Sequence, residues 1–208
     1  MNSAKRKTAA FLPALMALFV CACGAARPSK YYQLTIPGDA PAGQAADPPS
    51  APVTLLVGNL ISSDLYREDR IVYSTAGEQM GTYEYERWAE PPTEMIQEVL
   101  LRELRSSGRY RAVFTHKSDT NGDFLLRGRL YDFKEISQNG MSARLTVEFE
   151  MRDLRNGATV WTHYYQHDEP VNGKNVPAVV AALDKNVQRA VKEALESLDQ
   201  YFASHPAK

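Results

Sequence analysis

The stretch SARLTVEFEMRDL (residues 142–154) alternates apolar and polar side chains over most of its length. One alternate set is apolar and consists of Leu145, Val147, Phe149 and Met151, whereas the intervening positions are Arg, Thr or Glu. Successive side chains of a β-strand point to opposite faces of the sheet, so this pattern predicts a strand with one buried face and one polar face. The polar face is either solvated or contacts a partner.

Two segments of similar length flank this strand, FLLRGRLYDFKEI (124–136) and ATVWTHYYQHDE (158–169). Asn-Gly is the strongest short signal for a hairpin turn, because both positions tolerate positive φ. The pair occurs four times at regular spacing, at Asn121-Gly122, Asn139-Gly140, Asn156-Gly157 and Asn172-Gly173. The sequence therefore predicts an antiparallel meander in the second half of the chain.

The first half contains further predicted strands. VTLLVGNLI (53–61) is a nearly continuous apolar run of strand length, which predicts a central strand covered on both faces. Residues 31–36, 70–75 and 78–85 are also rich in β-forming residues, and the last two are joined by a turn near Ala76-Gly77.

Two amphipathic helices complete the predicted fold. The first begins at Pro91-Pro92 and closes near Gly108. The second runs from about residue 176 to 202, with one apolar stripe typical of a helix docked on its own sheet: Val180, Leu183, Val187, Ala190, Ala194, Leu198 and Phe202. We therefore expect a single α+β domain with an antiparallel-rich sheet and two amphipathic helices packed on one face.

The N-terminus has the pattern of a lipoprotein signal peptide over residues 1–22. Three basic residues precede an apolar run at 9–20, which is too short to span a membrane as a permanent helix. Ala22 before Cys23 fits a bacterial lipobox, which would make Cys23 the first mature residue and the site of N-acyl diacylglycerol attachment, including palmitate. Gly24 follows where aspartate would favour inner-membrane retention. The alternative is an ordinary secretory signal.

The predicted organisation after cleavage is a lipid-anchored tether at 23–30 and one domain at 31–208. At 3.3–3.6 Å per residue, the seven residues between Cys23 and Tyr31 span at most about 25 Å, so the domain stays close to its membrane. A proline-rich insert at 37–52 is predicted to be a flexible connection inside the domain.

Charge and cysteine content exclude several functions. Loss of the three basic signal residues lowers the net charge from −1 to −4, which disfavours binding to nucleic acid. Both cysteines lie at the signal boundary, at positions 21 and 23. The domain therefore contains no disulfide, no cysteine nucleophile and no thiolate metal ligand.

No catalytic, nucleotide-binding or metal-binding motif is evident in the sequence, and no cofactor is expected besides the lipid on Cys23. His163 and His167 lie four residues apart on a predicted strand, hence about 13 Å apart, which is too far to share a metal ion. We expect them to be surface histidines. Glu84, Glu86 and Glu90 are expected to form a solvated face.

Three specific segments carry a family resemblance. DRIVY (69–73) and RWAEP (87–91) are followed by the helix containing Leu100 and Leu104. Together with the lipobox and YYQL (31–34), they make the chain similar to the ABC-transporter auxiliary lipoproteins, the PqiC-like family. The resemblance covers the mature chain nearly end to end. Two departures are the length of the proline-rich insert and Pro92, where many relatives have leucine.

The resemblance implies a non-enzymatic subunit of a trans-envelope lipid-transport system, anchored on the periplasmic face of the outer membrane. Its partners would be an MCE-domain protein forming a periplasmic conduit, together with an ABC permease and ATPase. Family members often form small homo-oligomeric rings. The alternatives are a periplasmic lipid-binding carrier with an apolar cavity and a structural envelope-integrity lipoprotein.

Candidate contact residues cluster around the family segments, because Tyr, Trp and Arg concentrate binding energy at protein interfaces. Trp88 stays open between packing onto the following helix near Ile96 and contacting a partner. The candidates for a partner contact are Arg70, Tyr73, Tyr83, Tyr85, Arg87 and Trp88.

Overall fold

The computed structural model describes residues 27–38, 49–76, 79–138 and 140–206. Within these ranges the chain forms eight strands, a short 3-10 turn at Asp64–Tyr66 and two α-helices. In chain order the elements are β1 (Lys30–Tyr32), β2 (Ala51–Ser62), β3 (Arg70–Ala76), β4 (Gln79–Trp88), α1 (Pro92–Ser106), β5 (Tyr110–Thr115), β6 (Phe124–Ile136), β7 (Ser142–Asp153), β8 (Thr159–Pro170) and α2 (Val176–Ser204).

The long strand β6 organises the sheet. Along one side it pairs antiparallel with β7, which pairs antiparallel with β8. Along the other side its first half lies parallel to β2 and its last three residues lie parallel to β3. The sheet therefore branches at β6: β5 continues it beside β2, whereas β4 and then β1 continue it beside β3.

The predicted meander is confirmed in β6, β7 and β8. Gly140 and Gly157, each the second residue of a predicted Asn-Gly turn, lie in its two hairpins with φ of 118° and 72°. The other two hairpin predictions are wrong. Gly122 lies in the connection from β5 to β6, which are both parallel to β2, and Gly173 precedes α2. A Cβ at Gly122 would lie 2.5 Å from Leu56 Cγ, so close packing explains this glycine.

The two helices pack together on one face of the sheet, which confirms the α+β fold class. The four apolar residues of β7 that alternate in sequence are all fully buried beneath them. The predicted stripe of α2 is buried except for Val180, which is half-buried. At the start of α2, the side chain of Asn175 accepts a hydrogen bond from the N–H of Ala178 at 3.0 Å.

The segment after β1 differs from its predicted strand. β1 ends at Tyr32, and the chain then crosses the helices instead of continuing along the sheet. The carboxylate of Asp184 accepts hydrogen bonds from the N–H and hydroxyl of Thr35 at 2.9 and 2.7 Å, and the carbonyl of Pro37 accepts one from Arg102 at 3.3 Å. These contacts tie the segment to both helices.

The predicted domain boundaries move slightly in the structure. Lys30, assigned to the tether, already pairs with Glu86 of β4 in β1. Ala51 and Pro52, assigned to the proline-rich insert, begin β2. Residues 39–48 of that insert, like the signal peptide and Cys23, lie outside the described residues.

Candidate interaction surfaces

The first candidate surface lies at the β1–β4 edge of the sheet, and we call it the anchor-side patch: Arg27, Tyr31, Arg70, Tyr85 and Arg87. Arg87 of β4 is the register partner of both Tyr31 in β1 and Arg70 in β3, which brings the three side chains to one place. The guanidinium of Arg27 lies over the ring of Tyr85, 5.3 Å from its centroid. Tyr31 is 63% exposed.

Acidic neighbours hold the arginines of this patch in place. The guanidinium of Arg87 lies 2.8 Å from a carboxylate oxygen of Asp69, and that of Arg70 lies 3.3 Å from Glu68. Both pairs are partly exposed, so each contributes at most about 1 kcal/mol to stability. Their main effect is to fix where the guanidinium groups point.

Glu86 lies beside the patch and is not part of a freely solvated face. Its carboxylate accepts hydrogen bonds from the Tyr32 hydroxyl at 2.6 Å and from Lys30 at 3.0 Å. The hydrogen bond from Tyr32 is the main cause of a lowered Glu86 pKa. Burial and the same contact raise the pKa of Tyr32 to about 12. Glu84 and Glu90 are exposed, as predicted.

The side chains of Tyr73 and Tyr83 are directed toward the interior of the domain and not toward a partner surface. Their rings meet edge to face with centroids 5.1 Å apart, and Tyr83 packs against the hydrophobic core. The hydroxyl of Tyr83 donates to the buried carboxylate of Glu135 at 2.7 Å. Burial, followed by this hydrogen bond, raises the pKa of Tyr83 above its ordinary value.

Trp88 belongs to the core. Its side chain is 1% exposed, and its ring packs against Phe133 of β6 with centroids 5.2 Å apart. Of the two roles left open by the sequence, the partner contact is therefore excluded for the Trp88 side chain, since almost none of its surface is accessible. Its neighbours Tyr85 and Arg87 keep partly exposed side chains.

The second candidate surface is the outer face, which we define as the exposed side of the sheet opposite the helices, formed by Ile61, Arg127, Arg129, Tyr131, Glu148, Glu150 and Tyr164. The rings of Tyr131 and Tyr164 lie 6.5 Å apart, and Arg129 lies over the ring of Tyr131 at 6.0 Å. The Tyr131 hydroxyl donates to Glu148 at 3.0 Å, and Arg127 pairs with Glu150. The aromatic rings of the outer face are therefore surrounded by ion pairs and hydrogen bonds.

A groove of about 460 Å³ lies on the outer face over β2, β6 and β7. Its lining includes Ile61 and Leu125 together with the charged residues Arg127, Arg129, Glu148 and Glu150, and Ile61 is 52% exposed. Sequence reasoning missed Ile61, because the apolar run of β2 predicted cover on both faces. That cover holds from Leu55 to Gly58, after which β2 alternates between buried and exposed positions.

The histidines of β8 lie on its inner side. His163 is partly buried, which corrects its predicted surface placement, whereas the side chain of His167 is 40% exposed. His163 stacks on Trp161 with centroids 5.9 Å apart, and burial lowers its pKa. The Nε2 atom of His167 lies 3.3 Å from the buried carboxylate of Glu169. Among the described residues, no group of three His, Cys, Asp or Glu side chains is arranged to hold a metal ion.

Glu169 is the centre of an ion cluster that joins β8 to α2. Besides His167, its carboxylate contacts Lys185 and, at 2.9 Å, Arg189, both on the helix. The hydrogen bond from Lys185 is the main cause of a lowered Glu169 pKa. In the described part of the chain, neither helix is long and apolar enough to cross a membrane.

Comparison with known proteins gives one family match. The family model for the ABC-type transport auxiliary lipoprotein component matches residues 32–194. No curated protein matches the sequence.

Several solved structures share the fold. Protein XCC0632 from Xanthomonas campestris superimposes with a TM-score of 0.72 at 18% identity, covering 85% of this chain and 98% of that one. Protein CT253 from Chlamydia trachomatis gives a TM-score of 0.51 at 12% identity, covering 74% and 99%. At these identities the likeness shows the fold alone.

Proposed function

The chain belongs to the family of ABC-type transport auxiliary lipoprotein components, and from this premise we propose that it is a non-enzymatic, lipid-anchored subunit of a trans-envelope lipid-transport system. In this proposal Cys23 carries the lipid and holds the domain on the periplasmic face of the outer membrane. The domain docks the MCE-domain protein, whose conduit belongs to the same transport system as the ABC permease and ATPase. The partner's identity rests on the family resemblance.

The docking role is supported by the large exposed side chains of the outer face. The helices cover one side of the sheet, while the other side presents Ile61, Tyr131 and Tyr164, each at least 45% exposed. Large apolar and aromatic side chains grouped within a polar rim are typical of surfaces that bind another protein. Ordered ion pairs around them, such as Arg127 with Glu150, preset the geometry that a partner meets.

The interior favours docking over carriage of a lipid inside the domain. Side chains from the sheet and both helices meet directly, and Phe133, Phe149, Leu100 and Leu183 are each at most 1% exposed. The groove on the outer face opens to solvent and is lined partly by charged residues. Such a groove is better suited to contact another protein than to bind the acyl chains of a lipid.

Site-specific photocrosslinking in cells tests the proposal. A benzophenone amino acid replaces Tyr131 or Tyr164 on the outer face, and Lys192, which is exposed on α2, provides the matched control. We expect an adduct with the MCE-domain protein from the two tyrosine positions and none from Lys192. Adducts joining two copies of the chain would instead report the ring assembly that the resemblance implies. Absence of any MCE adduct, or full lipid transport by the Cys23→Ala protein, would overturn the proposal.

A further inference from the structure

The described chain begins at Arg27, beside Tyr85 on β4. In the proposed function, on which this inference rests, Cys23 carries the lipid. Cys23 precedes Arg27 by four residues, so at 3.3–3.6 Å per residue the two Cα atoms lie within about 14 Å of one another. The membrane surface that holds the lipid therefore lies close to Arg27, the member of the anchor-side patch nearest to Cys23 in the chain.

The chain leaves Arg27 in a fixed direction, because β1 adds to the sheet immediately afterwards. Lys30, Tyr31 and Tyr32 pair in register with Glu86, Arg87 and Trp88. The Tyr32 hydroxyl and the Lys30 ammonium both bond to Glu86. A membrane anchor attached to Cys23 thus holds the β1–β4 edge of the folded domain, and not a loose terminus.

The chemistry of the patch matches the headgroup layer of a bilayer. Guanidinium groups bind phosphate through two parallel N–H donors, and tyrosine places an apolar ring and a polar hydroxyl at the boundary between lipid and water. Arg27, Arg70, Arg87 and Lys30 provide four cations against the four carboxylates of Glu68, Asp69, Glu84 and Glu86. The surface next to the anchor is therefore balanced in charge, although the mature chain as a whole is acidic.

The patch also lies far from the outer-face tyrosine on β8. The strand order from one edge to the other is β1, β4, β3, β6, β7 and β8. Five strand spacings of 4.7–4.9 Å separate β1 from β8, or roughly 24 Å. A domain resting on its β1–β4 edge therefore holds Tyr164 away from the bilayer and available to a protein.

We infer that the anchor-side patch rests on the phosphate-containing headgroups of the membrane that holds the lipid anchor, and so sets the orientation of the domain. Arg27 and Tyr31 make the closest contacts, because they lie next to the tether. The lipid supplies the attachment, and the patch decides which side of the domain faces the periplasm.

Fluorescence quenching on vesicles tests this orientation. The mature protein, residues 23–208, has Cys23 as its single cysteine, so it is coupled there to a maleimide lipid in vesicles of phosphatidylethanolamine and phosphatidylglycerol. Some of the lipids carry a nitroxide on the headgroup. Tyr31→Trp reports on the patch, and Tyr164→Trp is the control with similar exposure, 58% against 63%. The signal of the native tryptophans, Trp88 and Trp161, is subtracted using the unsubstituted protein.

We expect the nitroxide lipid to quench a large part of the fluorescence added by Tyr31→Trp and little of that added by Tyr164→Trp. Adding Arg27→Glu should reduce the quenching at position 31. Equal quenching at both positions, or none at position 31, would overturn the inference. Because the lipid is attached chemically, this outcome is independent of lipidation in cells, which is tested separately by incorporation of labelled palmitate into the natural chain and its Cys23→Ala variant.

Discussion

Asn186 of α2 accepts a hydrogen bond from the hydroxyl of Tyr165 in β8 at 2.5 Å, inside the layer between helix and sheet. The amide nitrogen of Asn186 also donates to the carbonyl oxygens of Ala143 and His167, at 3.0 and 2.9 Å. Asn186 is fully buried, so this one side chain joins α2 to both β7 and β8 through polar contacts that exclude water. The contacts set the position of α2 more narrowly than its apolar stripe alone.

Replacement of Asn186 by leucine should lower the free energy of unfolding by about 2–4 kcal/mol, because the Tyr165 hydroxyl and two carbonyl oxygens lose their partner in a buried site. Tyr165→Phe should cost about 1 kcal/mol. Urea unfolding of both single variants and the double variant measures the coupling between them. Additive effects would show that the two side chains are independent, contrary to the structure.

Trp88→Ala should destabilise the domain by about 3–5 kcal/mol, because a large buried ring is removed from its contact with Phe133. Tyr31→Ala, a substitution of an exposed aromatic residue in the neighbouring strand, should leave unfolding nearly unchanged. Thermal unfolding followed by circular dichroism compares the two. A Trp88→Ala protein that melts with the natural chain would contradict its place in the core.

Gly128→Ala in β6 should destabilise the domain by about 1–3 kcal/mol through overpacking. A Cβ at this position would lie 2.6 Å from the carbonyl oxygen of Glu148 and 3.0 Å from the ring of Phe149. The control is Gly38→Ala, where a Cβ would meet nothing within 4 Å. Chemical denaturation distinguishes them, and equal midpoints would argue against close packing of β6 on β7.

The stability of the domain should fall in acid, because Glu169 becomes protonated. The folded-state pKa of this carboxyl is lowered below its ordinary value of 4.5, chiefly by the hydrogen bond from Lys185. The ionised group therefore stabilises the fold above about pH 4.5, and this contribution is lost as the pH falls through the lowered pKa. Glu169→Gln should be less stable than the natural chain at pH 7, and the difference should shrink below pH 4.5.

Unfolding in urea at several pH values measures this difference. Glu196→Gln, which changes an exposed carboxylate of α2 outside the ion cluster, provides the control. A constant difference between the natural chain and Glu169→Gln from pH 7 to pH 3 would show that the ion cluster does not respond to protonation of Glu169.

Joint replacement of Tyr131 and Tyr164 by serine should change the free energy of unfolding by less than about 1 kcal/mol, since both side chains are largely exposed. The same change should abolish the crosslink expected between the outer face and the MCE-domain protein, with the photoreactive residue placed at Ile61. Lys192→Ala is the control that should keep it. A persistent crosslink would place the protein contact elsewhere.

The two-residue period of the apolar side chains and the Asn-Gly turn signals were enough to predict the meander. The strands 124–136, 142–154 and 158–169 agree with β6, β7 and β8 to within one residue, because alternate burial leaves a period of two in the sequence. The helices were predicted for the same reason, from their apolar spacing. Local sequence also identified Trp88 as a notable residue, but its burial depends on Phe133, which is 45 positions away.

Strand order could not be predicted in the same way. The short strand β5 was missed, and two Asn-Gly pairs were assigned to hairpins that do not exist, because a turn residue does not record which strands become neighbours. The exposure of Ile61 near the end of β2 was not predicted for a related reason. An apolar run predicts burial, but the sheet branches at β6, and this branching decides how far the cover extends.

By itself the sequence determined the α+β class, the meander, the two amphipathic helices and the family, since each depends on residues close together in the chain. Only the tertiary structure decided that Trp88 is core, that Arg27 and Tyr31 lie at the β1–β4 edge of the sheet, and that Ile61, Tyr131 and Tyr164 share one exposed face. These relationships join residues from strands that are distant in the chain, and such pairings arise from the packing of the whole sheet and not from any local pattern.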